Sequence, residues 1–98
     1  MTTQNYPALS QFLGAYFHQD WPEEFPDPEA AIAAFRRKEP PEVVRTTCSE
    51  LDQAHREAQQ STDPSKLLAE LGCYYDPQAD GRSVPQWLAH VRTKLAAA

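Results

Sequence analysis

Apolar side chains recur at three- and four-residue intervals along most of this sequence, and that spacing predicts amphipathic helices. Leu9, Phe12, Leu13 and Tyr16 form one stripe over residues 7–17. Ala31, Ile32 and Phe35 form a second, in a segment opening at Asp27. Asp27 can accept from the free N–H groups of a helix start, and Pro28 suits the first helical position. Val44, Thr47, Cys48, Leu51, Ala54, His55 and Ala58 trace one face of a long helix over residues 41–60. Its other face, with Arg45, Glu50, Gln53, Glu57 and Gln60, reads as solvated. After the cap-like pair Asp63-Pro64, the side chains of Leu67, Leu68 and Leu71 face inward, and Gly72 supplies a left-handed stop. Val84, Trp87, Leu88, Val91 and Leu95 complete the set, and Ser83 with Gln86 has the spacing of a capping box.

No stretch alternates with a period of two, so the fold class is all-α. We expect a compact bundle of about five helices with little or no β-structure, in one domain over residues 1–98. A short hairpin within residues 73–83, around the Asp80-Gly81 turn signal, is the one place where strand could enter. Residues 18–28 contain Pro22, Pro26 and Pro28 and predict a connection without regular helix, pinned to the body by Trp21 and Phe25. Gly14 interrupts the first stripe at a cost of about 1 kcal/mol relative to alanine, which implies close approach of a neighbouring element.

Charge sharpens this picture. The net charge of −5 disfavours nucleic acid as a direct ligand and admits a basic protein partner. The acid is uneven: Asp20, Glu23, Glu24, Asp27 and Glu29 fall in one stretch without a lysine or arginine, and Arg36, Arg37 and Lys38 follow. One reading is a solvated, proline-broken loop. The other is a landing surface for a basic partner, where like charge raises association rates by roughly 10 to 10³. Trp21 and Phe25 would then serve as anchors. Tyr74, Tyr75 and Asp76 form a second patch, equally suited to covering the core.

The 98 residues, 41% hydrophobic and 10% aromatic, suffice for one core and argue against disorder. The longest apolar run, residues 30–35, is too short to span a bilayer, and the polar start Met1-Thr2-Thr3-Gln4-Asn5 lacks the pattern of a secretion signal. We therefore expect a cytoplasmic protein with no membrane partner.

Candidate chemistry is thin. Cys48 and Cys73 make neither a CxxC pair nor a disulfide framework. His18 and Asp20 could be a metal or acid–base pair, or a helix end whose ring locks the following loop. His55 reads as a partly buried helix-face residue, and His90 as a boundary residue without a partner. No GxSxG, P-loop or GxGxxG occurs. No catalytic residue, metal or cofactor is assigned.

Taken together, Tyr16-Phe17-His18-Gln19-Asp20-Trp21, Leu71-Gly72-Cys73-Tyr74-Tyr75, Asp80-Gly81, Trp87-Leu88 and Val91-Arg92 resemble a family of immunity proteins of bacterial contact-dependent growth inhibition systems, over residues 6–95. The resemblance implies a non-enzymatic protein that binds and blocks the C-terminal domain of a toxin delivered by a neighbouring cell, often a nuclease. It also implies that Gly14, Asp20, Trp21, Gly72, Gly81 and Trp87 are fold determinants. The interface expectation therefore rests on charge: Asp20, Glu23, Glu24, Asp27 and Glu29 first, with Tyr74, Tyr75 and Asp76 second. The expected assembly is one immunity protein with one basic toxin domain. The other readings are a generic helical adaptor or regulatory domain, and a small enzyme using His18, Asp20 and Cys73.

Overall fold

Prolines start the helices of this protein. The computed structural model describes residues 5–96 and contains α1 (Pro7–Tyr16), α2 (Trp21–Glu24), α3 (Pro28–Lys38), α4 (Pro41–Gln60), α5 (Pro64–Glu70) and α6 (Val84–Ala96), with a 3-10 turn at Pro77–Asp80 before α6. Each of α1 to α5 has proline at its first or second position. There the missing N–H has no intrahelical partner to lose, and the fixed φ is already helical. The all-α expectation holds, and no strand occurs among the described residues. Met1 to Gln4 and the last two residues of the alanine tail lie outside them.

Two expected caps form as the sequence implies. Asp27 accepts from the N–H of Ala30 at 2.8 Å. Ser83 and Gln86 make both bonds of a capping box, at 2.8 and 3.2 Å. Gly72 and Gly81 take positive φ, 85° and 82°, and end α5 and the 3-10 turn.

Four local expectations need correction. Residues 18–28 are not without helix: Pro22 sits in the first turn of α2, where it starts a helix rather than breaking one. Asp63 precedes α5 without a side-chain cap; its own N–H donates to Ser61 Oγ at 3.0 Å instead. Glu50 and Glu57 do not simply face solvent. Glu50 reaches from α4 to accept from the N–H groups of Leu9 and Ala8, at 2.8 and 3.3 Å, and so caps α1. Glu57 accepts from the Tyr6 hydroxyl at 2.6 Å. Burial and this carboxylate push the Tyr6 phenol up to about 12. Gly72 packs near Gly14, but neither glycine is forced by the space between them, and Gly72 is required instead by its φ of 85°. A Cβ on Gly72 would lie 3.6 Å from the Gly14 Cα, whereas a Cβ on Gly14 would meet nothing within 4 Å.

The longest helix, α4, packs most broadly against α6, and α1 and α3 close over the remaining faces. Phe12, Phe17, Phe35 and Trp87 are fully buried. Their rings join those of Tyr16, Trp21, Phe25 and Tyr75 in one contiguous aromatic cluster. Aromatic pairs at these separations add roughly 0.5–1.5 kcal/mol each beyond area burial, so the cluster fixes the loops that carry its outer members. Thr47 is the buried polar residue of the core, and its hydroxyl donates to the Val43 carbonyl at 2.9 Å.

Candidate partner-binding surface

The aromatic cluster reaches the surface where the two candidate patches meet. The Tyr74 N–H donates to the Phe17 carbonyl at 2.8 Å, which ties residues 73–76 to the end of α1 and the approach to α2. Strand-like alternation of the two adjacent tyrosines then splits their roles. Tyr75 turns inward, 8% exposed, between Phe17, Trp21 and Trp87. Tyr74 turns outward, 65% exposed. Among the described residues it is the one large hydrophobic side chain that stands free of the body.

An open groove of about 420 Å³ runs between the patches, bounded by Trp21, Asp27, Tyr74, Tyr75, Asp76 and Asp80. Trp21 and Tyr75 among its walls belong to the core cluster, and its three carboxylates come from the turns before α3 and α6. Such a groove can receive a cation: the ring faces attract it and the carboxylates accept its hydrogen bonds. Asp80 was legible only as half of a turn signal. It is a groove residue because the 3-10 turn brings its carboxylate to the Tyr75 hydroxyl, at 2.5 Å. That bond and burial hold the Tyr75 phenol above its ordinary range, so it stays a neutral donor.

The five acidic residues of the 20–29 stretch are all exposed but differ in what they do. Asp27 caps α3. Glu29 accepts from His90 Nε2 at 2.5 Å and lies 4.0 Å from Arg82, and so clamps the start of α3 to α6. His90 therefore has a partner, contrary to the sequence reading. Glu24 accepts from His18 Nε2 at 2.7 Å. Asp76 caps the 3-10 turn through the N–H of Gln78, at 3.0 Å. Asp20 and Glu23 make no side-chain bond within the described residues, and their charge is wholly available to a partner.

The imagined chemistry dissolves into structure. The N–H of Asp20 donates to His18 Nδ1 at 3.0 Å, so this nitrogen is an acceptor and Nε2 carries the proton toward Glu24. The ring thus locks the turn into α2. Cys48 and Cys73 are free and buried. Burial pushes the Cys73 thiol up to about 12, which leaves little of the nucleophilic thiolate. No group of three or more His, Cys, Asp or Glu side chains among the described residues could share a metal ion. No helix of the described residues is long and apolar enough to cross a membrane.

The class defined by these features is an all-helical protein that presents charged, aromatic surface from a rigid core. Comparison makes it specific: the model of the family described as CdiI immunity protein matches residues 5–95, and the chain belongs to that family. It is also similar to a chain in the crystal structure of the CdiA-CT/CdiI complex from Y. kristensenii, with a TM-score of 0.79 and 29% identity, over 93% of this chain and 98% of that one. No curated protein matches the chain.

Proposed function

We propose that this protein neutralises a cognate contact-dependent growth inhibition toxin domain by binding it, one to one, in the cytoplasm. The observation that carries the reading is the match to the immunity family across residues 5–95, supported by likeness to a chain of a toxin–immunity complex. The toxin domain is a basic nuclease, and the immunity protein occludes its substrate-binding face. The open groove between Trp21, Asp27, Asp76 and Asp80 takes a lysine or arginine of that face. The unpaired Asp20 and Glu23 supply the field that speeds encounter. Tyr74 is the exposed anchor beside them. Tyr75 acts from beneath, as a wall of the groove. A cell survives only if free toxin is rare, so affinity is nanomolar or tighter, in the range of about −12 kcal/mol or beyond.

The test is co-expression with the C-terminal domain encoded immediately upstream, read by pulldown and by growth. A domain that kills alone, binds this chain and is silenced by it is the expected outcome. No association and no rescue would remove the immunity reading and leave that of a helical adaptor.

A further inference from the structure

A second groove lies away from the acidic surface. It has a volume of about 590 Å³ and sits where α3 and α6 end and α4 begins. Arg36, Arg45 and Arg92 line it, around an apolar floor of Val44, Cys48 and Leu95. Half of the chain's six arginines thus meet in one place, and Glu39 is the single carboxylate in the lining. Arg92 is held by Asp52, Nε to Oδ1 at 3.1 Å. Arg36 and Arg45 are exposed and make no side-chain bond within the described residues.

Two of the converging helix ends are C-termini, where partial negative charge favours cations. That accounts for Arg36 and the neighbouring Arg37 and Lys38 but not for Arg45, which stands in the early part of α4. An arginine there gains nothing from the helix dipole. With Arg92 held by Asp52, the guanidiniums of Arg36 and Arg45 are left as free donors beside a shared apolar floor.

We propose that this groove is a second docking surface, which receives a carboxylate-bearing segment of the toxin domain with an apolar side chain beside the carboxylate. This rests on the toxin-binding reading and adds to it. A carboxylate accepts two parallel bonds from a guanidinium fork, and an apolar neighbour fills the floor. The apolar floor favours polypeptide over nucleic acid, and the net charge of −5 would repel a phosphodiester backbone. The two grooves lie at opposite ends of the 11-residue α3, roughly 16 Å apart at 1.5 Å per residue. That exceeds the ~8 Å screening length at physiological salt, so each groove reads its own part of the partner. The toxin face is therefore dipolar: basic where it meets the Asp27 groove and acidic where it meets the Arg45 groove.

The test compares the whole wild-type chain with Arg36→Glu/Arg45→Glu, measuring affinity for the upstream-encoded toxin domain, thermal melting and sedimentation. The expected result is an unchanged melting temperature with the dissociation constant raised by about tenfold or more, some 1.4 kcal/mol. Arg36→Lys/Arg45→Lys restores part of the affinity, because charge returns but the planar fork does not. A wild-type chain that binds, with a double reversal that binds equally well, overturns the docking surface and leaves the toxin-binding reading intact. A wild-type chain that does not bind the domain ends both. Self-association that the reversal abolishes, with toxin affinity unchanged, would assign the groove to a second copy of this chain and also overturn the proposal.

Discussion

The two grooves lie at the two ends of α3 and are built in opposite ways. At the start of α3 and α6, acidic side chains are tied into the scaffold: Asp27 caps α3, Glu29 clamps α3 to α6 through His90, and Asp80 holds the Tyr75 hydroxyl. At the far end, Arg36 and Arg45 make no side-chain bond within the described residues, and of the three arginines only Arg92 is bound to a neighbour. The acidic groove is also backed by the aromatic cluster, whereas the arginine groove rests on Val44, Cys48 and Leu95. Rigid walls suit recognition of a fixed cation, and free guanidiniums suit a carboxylate that must be gathered. The lesson is that charge count alone does not locate a binding face. What matters is which charges the fold has already used.

Trp87→Ala breaks the comparison most severely. Trp87 is fully buried, with its ring 5.1 Å from Tyr75 and 5.3 Å from Phe17. Truncation of such a ring costs about 3–5 kcal/mol, so chemical denaturation should show a large loss of global stability. The arginine groove has no ring from this cluster in its lining.

Asp20→Lys with Glu23→Lys sharpens the kinetic side. Neither residue has a scaffold bond, so melting should be unchanged while association with the toxin domain slows by about tenfold and loses much of its salt dependence. An association rate equal to wild type would remove the acidic stretch from the encounter. The arginine reversals act chiefly on dissociation, so stopped-flow traces of the two double variants should differ in which rate moves.

Alkaline titration separates the regions by chemistry. The Tyr75 phenol is raised by burial and by Asp80, and the Tyr6 phenol is raised to about 12 by burial and by Glu57. The folded state therefore favours the neutral phenols. Their stabilisation is full below the ordinary tyrosine value near 10 and is lost as pH climbs through the raised values. Tyr6→Phe should flatten the fall in melting temperature between pH 10 and about 12, and Tyr75→Phe should likewise flatten the alkaline fall. No phenol lines the arginine groove, so its contribution to toxin affinity should not follow these curves.

The smallest effect is a gain. A Cβ on Gly14 meets nothing within 4 Å, and its φ is not positive, so Gly14→Ala should stabilise α1 by about 0.5–1 kcal/mol with toxin affinity unchanged.

Much of the fold was legible because apolar spacing and proline chemistry agreed. The bounds of α4 follow from Pro41 and the stripe of Val44, Cys48, Leu51, Ala54 and Ala58, and Asp27 and Ser83 announce their own caps. The misreadings share a cause. Pro22 reads as a breaker in sequence because its position within a turn depends on where α2 starts, and that start is set by Trp21 packing against Phe17 and Tyr75. Glu50, Glu57 and His90 looked solvent-facing because periodicity assigns a face but not a neighbour. Their partners are 41, 51 and 61 residues away in sequence. The acidic residues of the candidate surface were legible as charge. The groove they border was not, since it needs the turn at residues 77–80 to bring Asp80 beside Asp27 and Trp21. The arginine groove was visible only as the run Arg36-Arg37-Lys38, because Arg45 and Arg92 join Arg36 through tertiary packing.

The most direct test of the account is a calorimetric titration of the wild-type chain with the upstream-encoded toxin domain at physiological salt. The account predicts one-to-one binding with a dissociation constant in the nanomolar range or tighter, weakened by charge reversal at either groove. A folded, toxic domain that releases no heat with this chain and keeps its full activity beside it would contradict the account.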